Sequence, residues 1–247
     1  MTTRGSAKVL RKTPRPSRRA QYSASTKRAL VEVASELFTE QGYAGTSLDE
    51  IVAGARVTKG ALYHHFSGKQ ALFEAVFEHV ETDSAKLIRK AVRDNEDPWE
   101  KALSGLRAFL SVVQEPTYRR IVIQEGPAIL GYERFREQEE RSTFAIVQEI
   151  VRSVLAASTY ALDDSMVETF SRVFFGAMSA AGSSVSEAED PRHASAKVET
   201  AIAFILSGLQ TLAESGVTLP DPDQLVAEQA AHAEAREIDV EPEHDEH

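Results

Sequence analysis

Two short stretches of helical periodicity, joined by a brief connection, limit the fold of this chain more than any other feature. The first carries apolar residues at three- and four-residue spacing across residues 48–55, and Ser47 with Glu50 forms a capping-box pattern at its start. The second covers residues 59–66, with Thr58 as its expected N-cap. Helices this short and this closely joined cannot lie antiparallel with much contact. The pattern therefore predicts two helices that cross, as in a helix-turn-helix.

The rest of the chain also shows helical periodicity rather than the alternation typical of β-strands. Apolar residues recur at helical spacing in residues 26–42, 69–93, 98–114, 132–157, 164–184 and 192–214. Asp97-Pro98 favours a helix start, because Asp is a good N-cap and Pro suits the first helical position. The sequence predicts an all-α fold with a three-helix head over residues 23–70 and a larger helical body over residues 71–220.

Charge is distributed unevenly along the chain. Residues 1–70 carry a net charge of +7 and the remainder carries −17, within a total of −10. Basic residues interleaved with Pro14 and Pro16 predict a disordered arm over residues 1–22, and residues 221–247 predict an acidic flexible tail. A basic end on an acidic protein favours a polyanionic partner such as a phosphate backbone. The alternative is a basic disordered tail on an acidic enzyme.

Several protein classes are disfavoured by what the sequence lacks. It contains no cysteine, which excludes disulfides, thiol nucleophiles and cysteine-bound zinc. No apolar run approaches the roughly 18 residues of a membrane-spanning helix, so we expect a cytoplasmic protein without a membrane partner. The common hydrolase, dinucleotide, P-loop and zinc-protease motifs are missing, and we expect no enzymatic activity and no cofactor. His64 and His65 are adjacent rather than four residues apart, so we expect no metal site.

The second short helix presents residue types that suit a nucleic acid. Leu62 and Phe66 lie four residues apart and should anchor it, which leaves Lys59, Gly60 and Tyr63 facing outward. A lysine can donate to guanine edges, a glycine admits a close backbone approach, and a tyrosine can donate to phosphates. The alternative is an ordinary solvated helix face.

Residues 46–69, TSLDEIVAGARVTKGALYHHFSGK, resemble the DNA-binding segment of the TetR family of transcriptional repressors. The helix at residues 26–42 fits the same pattern, so about 50 residues carry the resemblance. It implies phosphate contacts from Thr46 or Ser47, Tyr63, His65 and Lys69, and base contacts from Lys59, Gly60, Thr58 and Tyr63. From their own chemistry, His64 and Arg56 are also expected to contact phosphates. Arg56 departs from the family, which usually has glycine in this turn. If the position is left-handed, the arginine costs roughly 1 kcal/mol.

The resemblance also implies a homodimer, in which the last two long helices of each subunit form a four-helix bundle. The residues expected in this interface are Val173, Ala177, Ile202, Ile205 and Leu209. The alternative is that these apolar stripes pack only within their own subunit. A dimer should bind a palindromic operator, because two-fold symmetry in the protein matches two half-sites on DNA.

The body is expected to bind a small-molecule effector. Its expected pocket residues are Phe109, Val113, Tyr118, Phe144, Phe170 and Phe174, although aromatics at helical spacing are also typical of plain core. Tyr118, Arg119 or Arg120 would supply a polar anchor. The resemblance implies a repressor, and we expect a small apolar or amphipathic effector to release it from DNA. The alternative is an architectural DNA-binding module without a ligand, which would not require so large a helical body.

Overall fold

A computed structural model describes residues 18–158, 163–217 and 222–238. The secondary structure of these residues is entirely helical, which confirms the predicted all-α fold. The α-helices are α1 (Arg18–Gly45), α2 (Leu48–Gly54), α3 (Lys59–His65), α4 (Lys69–Arg93), α5 (Pro98–Gln114), α6 (Pro116–Tyr118), α7 (Gly126–Leu130), α8 (Tyr132–Glu139), α9 (Ala145–Ala156), α10 (Asp164–Glu187), α11 (Pro191–Glu214) and α12 (Pro222–Ile238). Two π-helical segments, Arg119–Glu125 and Glu140–Phe144, connect α6 to α7 and α8 to α9.

Side-chain caps fix where several helices begin. The Asp97 carboxylate accepts hydrogen bonds from two backbone amides in the first turn of α5, at 3.0 and 2.9 Å, and Pro98 occupies the first helical position. Asp190 and Pro191 start α11 in the same way. Capping aspartates satisfy amides that have no partner within the helix. The helix start expected at Asp97-Pro98 is therefore confirmed.

The first three helices form a small head whose core is completed by α4. Leu30 and Phe38 of α1, Ile51 of α2 and Leu62 of α3 are all buried. Phe73 of α4 packs against Phe38 with ring centroids 5.4 Å apart. One hydrophobic cluster runs from the head into the body, so the core crosses the boundary expected at residue 70. A displacement of α4 must therefore change the packing of both the head and the body.

The body is arranged around α4 and α5, which pack along each other. Helices α9, α10 and α11 each pack against α5, and α10 also contacts α9 and α11. The π-helical segment Arg119–Glu125 lies between the body and α1 and contacts both α1 and α4. This layout places an internal cavity among the body helices and a direct bridge between that region and the head.

The two chain ends differ from the sequence expectation. Helix α1 begins at Arg18, so residues 18–22 are helical rather than part of the expected arm, while residues 1–17 lie outside the described residues. Within the expected flexible tail, residues 222–238 form α12, whose side chains are exposed through residue 232, and residues 239–247 lie outside the described part. Among the helices described, none has the length and apolarity needed to cross a membrane.

Candidate DNA-binding surface and effector cavity

Helix α3 presents one side to its neighbours and the other to solvent. Its first turn is capped by Thr58, whose Oγ1 accepts a hydrogen bond from a backbone amide at 3.1 Å. Leu62 and the following Phe66 are buried at 1% and 5% exposure, and they anchor the helix as the sequence predicted. Tyr63 is 58% exposed on the outer side, where Lys59 also lies. The outward face expected for α3 is therefore present.

Lys59 is held by a partner that the sequence reasoning missed. Its Nζ lies 2.7 Å from Asp49 Oδ1 in α2, and both side chains are about two-thirds exposed. The hydrogen bond and charge of Asp49 raise the pKa of Lys59. An exposed pair of this kind contributes little to stability, because water and salt screen it. The ammonium group can therefore exchange Asp49 for a partner outside the protein at small cost.

Gly60 has no structural reason to be glycine within the protein. A Cβ at this position would meet only Thr58 Oγ1, at 3.8 Å, which is ordinary van der Waals contact. Its φ is not in the left-handed region. A side chain here would instead extend outward from the exposed start of α3. The position fits the sequence interpretation that a second molecule approaches this backbone closely.

Thr46 is not placed to contact DNA with its side chain. It is 2% exposed, and its hydroxyl donates to the carbonyl oxygens of Leu37 and Gly42 at 3.1 and 2.9 Å. The phosphate contact expected of Thr46 is therefore wrong for its side chain, which instead fixes the corner between α1 and α2. From the sequence alone, a threonine next to an N-cap serine could equally contact a phosphate or be buried at the corner between two helices.

Ser47 is exposed but occupied by the cap of α2. Its Oγ accepts from the Glu50 amide at 3.2 Å, and its own amide donates to Glu50 Oε2 at 2.8 Å, so the predicted capping box is confirmed. The Ser47 hydroxyl also donates to Glu50 Oε2 at 2.6 Å, and this hydrogen bond, together with the one from the Ser47 amide, lowers the pKa of Glu50. The Glu50 carboxylate thus covers the first turn of α2. A phosphate contact at Ser47 requires that carboxylate to move aside.

Arg56 has the left-handed backbone that was considered in the sequence analysis, where glycine is the usual residue of this turn. Its φ is +53°, the only positive φ at a non-glycine position in the described ranges. The left-handed conformation costs an arginine roughly 1 kcal/mol relative to glycine. The side chain is exposed at the turn between α2 and α3. It is therefore free of the protein core, beside the proposed DNA-binding face.

The remaining predicted contacts lie around the end of α3. His64 is exposed and His65 is partly buried; burial, His64 and Lys27 lower the pKa of His65, which favours its neutral form. Lys69 opens α4, with its Nζ 4.4 Å from the centre of the Tyr43 ring. No group of three or more His, Cys, Asp or Glu side chains in the described portion is arranged to bind a metal.

The body contains a partly open cavity of about 410 Å³. Four of the expected residues line it, namely Phe109, Tyr118, Phe170 and Phe174. The other two expectations are wrong. Val113 is fully buried beside the lining, and Phe144 packs edge-to-face on Phe175 at 5.6 Å with Arg172 over its other side.

Two carboxylates that the sequence reasoning missed form the polar end of this cavity. Glu81 of α4 is 3% exposed and accepts hydrogen bonds from the hydroxyls of Tyr118, Ser142 and Thr143. Glu139 of α8 also lines the cavity. Burial raises the pKa of Glu81, and burial together with the Glu81 charge raises the pKa of Glu139 to about 7. The sequence did contain one indication of this site: Glu81 lies within the stripe of α4 that is otherwise apolar and buried.

The arginines expected as polar anchors do not line the cavity. Arg120 points to the head, where its Nε donates to Glu125 Oε1 at 3.0 Å, and Arg119 is likewise absent from the lining. Glu125 Oε2 accepts a hydrogen bond from the Tyr43 backbone amide at 2.9 Å, close to the point where Gly42 interrupts α1 with a φ of +75°. The π-helical segment therefore joins the cavity wall at Tyr118 to the end of α1.

The residues expected at a dimer interface divide into two groups. Val173 is 63% exposed, Ile205 is 50% exposed, and Ala177 is exposed on the same helices. Ile202 and Leu209 are partly buried and line the cavity, so their place in an interface stays a prediction. Phe204, which the sequence reasoning missed, is 80% exposed on α11. Helices α10 and α11 therefore present an uncovered apolar surface.

Two family models match this chain. Residues 30–76 match the model described as bacterial regulatory proteins, tetR family, and residues 99–209 match the tetracyclin repressor-like C-terminal domain. The HTH-type transcriptional regulator AcrR of Shigella flexneri is 34% identical over 139 residues, which span 56% of this chain and 61% of that regulator. The Tn10 TetC protein of Escherichia coli is 31% identical over 144 residues, spanning 58% of this chain and 72% of that protein.

A solved structure agrees with these matches. The crystal structure of a TetR-family transcriptional regulator from Pectobacterium atrosepticum superposes with a TM-score of 0.67 at 28% sequence identity. The superposition covers 78% of this chain and 97% of that one. The likeness therefore extends over the head and most of the body.

Proposed function

Because the chain belongs to the TetR family of bacterial regulatory proteins, we propose that it is a homodimeric repressor that binds a palindromic operator in the cytoplasm and is released by a small apolar or amphipathic effector. Membership makes it a transcriptional regulator with a DNA-binding helix-turn-helix, rather than an enzyme. The observation that carries the proposal is one continuous core linking an outward-facing α3 to a largely apolar cavity.

The DNA contacts are assigned to the outer side of α3 and its neighbours. Lys59, Gly60 and Tyr63 would meet base edges, since they lie opposite the buried Leu62. The contacts assigned to phosphates are Ser47, Arg56, Thr58, His64, His65 and Lys69. Phosphate contacts hold the head in register, and base contacts select the sequence.

The dimer is assigned to the apolar surface on α10 and α11. Val173, Phe204 and Ile205 expose large apolar side chains there, and burying them against a second copy removes apolar area from water. A two-fold dimer places two copies of α3 on the same side. The operator would then contain two half-sites separated by about one helical turn or a multiple of it.

Release by an effector requires that the ligand prefer a state with weaker DNA binding. The described route runs from Tyr118 at the cavity through the π-helical segment to Glu125, and from there to the Tyr43 amide. A ligand that moves Tyr118 would shift α1 and α4 relative to each other. By linkage the operator must weaken effector binding by the same factor, typically about 5- to 150-fold.

Selection from a random duplex library with the full-length chain tests this function. We expect recovery of a palindrome that the purified protein binds as a dimer, and loss of transcription from a promoter that contains it. Recovery of a sequence without two-fold symmetry would contradict the dimer. Increased transcription from that promoter would contradict repression, and unselective recovery would contradict operator recognition.

A further inference from the structure

We infer that the effector is an amphipathic organic cation, whose positive head is bound by Glu81 and Glu139 and whose apolar body lies along the aromatic lining of the cavity. The inference rests on the proposed sensor function and specifies the ligand class. It follows from the cavity's charge, the way its carboxylates are partnered, and the shape of its lining.

The cavity contains two carboxyl groups without an opposing basic residue in its wall. Glu81 and Glu139 both line it, whereas no Lys, Arg or His is found among its described lining residues. The remaining polar lining side chains are hydroxyls, contributed by Tyr118, Thr143, Ser158, Ser179 and Ser183. Buried carboxylates are normally compensated by a cation or a metal. Here the space beside them is left for a ligand to fill.

The hydrogen bonds to Glu81 prepare it to act as an anion. Tyr118 and Thr143 donate hydroxyl groups to its carboxylate, as does Ser142 from the π-helical segment Glu140–Phe144. Donors of this kind hold a carboxylate in a fixed position without neutralising it. Because each hydroxyl donates its hydrogen to Glu81, the lone pairs of the hydroxyl oxygens point away from that carboxylate. The carboxylate is thus oriented and still lacks a positive partner.

Glu139 is only partly compensated by its surroundings. Arg136, whose charge acts to lower the pKa of Glu139, is already paired with Glu140, with Nη2 3.1 Å from Oε1. Ser179 of α10 donates a hydrogen bond to Glu139, and Glu81 of α4 repels its charge. Two carboxylates sharing a buried site resist simultaneous ionisation. A cation placed between them relieves that repulsion, whereas an anion increases it.

The rest of the cavity fits an apolar body. Trp99 and Phe109 of α5 and Phe170 and Phe174 of α10 belong to a lining that is chiefly aliphatic and aromatic. A volume of about 410 Å³ lies within the range of drug-sized ligand sites. Aromatic faces also attract organic cations. An ammonium ion with an extended or ring-bearing apolar body can contact the two carboxylates and the apolar lining at the same time.

The test uses three probes with the same chain and different heads: decylammonium, decanol and decanoate. Trp99 is the only tryptophan in the sequence and lines the cavity, so its fluorescence reports occupancy, and calorimetry checks the affinities. At neutral pH we expect decylammonium to bind roughly 10- to 100-fold more tightly than decanol, because hydrogen bonds to charged groups are strong. Decanoate should bind most weakly.

Matched variants assign that preference to the two carboxylates. Glu81→Gln combined with Glu139→Gln should remove the preference for decylammonium while retaining decanol binding. Glu133→Gln removes the same charge from an exposed position on α8 and should leave the preference unchanged. Retention of the cation preference in the double variant would overturn the inference.

Operator release separates the two proposals. Decylammonium should release the full-length protein from its operator at concentrations where decanoate does not. Equal affinity for all three probes, or release by decanol or decanoate alone, would overturn the cation assignment and leave the sensor function standing. Failure of all three to bind the cavity or release the operator would overturn both.

Discussion

Lys59 and Lys69 are both basic residues at helix starts, yet they should serve different purposes on DNA. Lys59 lies on the outer face of α3, while Lys69 lies beside Tyr43 at the start of α4. Lys59→Ala should cost about 1–3 kcal/mol on the operator and relax its sequence preference. Lys69→Ala should weaken all sequences alike and flatten the salt dependence. Affinities measured against salt on operator and random duplexes distinguish them, and equal losses on both duplexes for Lys59→Ala would contradict base contact.

Arg56 combines backbone strain with a charge, and two substitutions separate these effects. Arg56→Gly removes both the strain and the charge, and should raise the free energy of unfolding by about 1 kcal/mol. Arg56→Ala removes the charge and keeps the left-handed backbone, so it should give no such gain. If Arg56 contacts a phosphate, both variants should weaken DNA binding equally. Denaturant unfolding and operator affinity provide the two readouts, and stabilisation by both variants would disprove the strain argument.

Glu139 should make stability depend on pH. Its carboxyl, packed near Glu81, Arg136, Ser179 and Glu140, has its pKa raised from 4.5 to about 7 in the folded protein. The unfolded chain ionises more easily, so the free energy of unfolding should fall as pH rises from about 4.5 to about 7. Glu139→Gln cannot ionise and should therefore be more stable than the parent above pH 7.

Thermal unfolding against pH measures this effect. The Tm advantage of Glu139→Gln should be small at pH 5, grow towards pH 7 and then level off, with about 2–4 °C for each kcal/mol. Glu133→Gln provides the control, because its carboxylate is exposed on the same helix. An advantage that is largest at low pH would refute the stated environment of Glu139.

At the scale of elements, periodicity predicted the helices well because their apolar stripes face one continuous core. Asp97-Pro98 and Ser47 with Glu50 also identified two helix starts from local chemistry alone. The sequence could not show which side of α11 would face inward. Ile202 and Leu209 share a helix with Ile205, and only packing against α5 and α10 decides which of them line the cavity.

Polar residues inside the core were harder to predict than apolar ones. Thr46 and Glu81 belong to residue types that usually lie at the surface, yet both are buried. Thr46 donates to carbonyl groups of the preceding helix, whereas Glu81 accepts from Thr143, which lies 62 positions further along the chain. The connection between Glu125 and Tyr43 joins residues 82 positions apart. Single-sequence periodicity contains no information about such pairs, since it records only neighbours along one helix.

The hydrogen bond between Glu125 and the Tyr43 amide should transmit the effector signal. Glu125→Ala removes this connection between the π-helical segment and α1 while leaving the cavity lining intact. We expect operator affinity to change little and its reduction by effector to shrink towards onefold, because the two sites lose a shared element. Glu133→Ala serves as the control.

Operator affinity with and without a saturating probe from the decyl series measures this coupling. The reverse experiment, probe affinity with and without operator, must give the same factor. A Glu125→Ala protein that binds probe and operator with parental coupling would exclude this route.

At the scale of the whole molecule, the proposed function requires two copies to associate, and we assign their contact to α10 and α11. A single exposed phenylalanine can occur on any surface, but Phe204 at 80% exposure lies next to Ile205 at 50% in the sequence of α11. Val173 of the adjoining α10 is also 63% exposed. Uncovered apolar area on adjoining helices favours self-association, because a two-fold axis pairs the same patch on both copies. The acidic body repels both a second copy and DNA, and apolar burial between α10 and α11 opposes the repulsion between the two copies.

Phe204→Glu should therefore separate the dimer, because association would bury an unpaired charge at its centre. Sedimentation should show a folded monomer at micromolar concentration. Operator binding should fall to the level of random duplex, since one head contacts only one half-site, while Trp99 should still report probe binding in the cavity. Leu87→Glu replaces a leucine of 60% exposure on α4 and should leave the dimer intact. A Phe204→Glu protein that remains dimeric and binds the full operator tightly would place the subunit interface elsewhere.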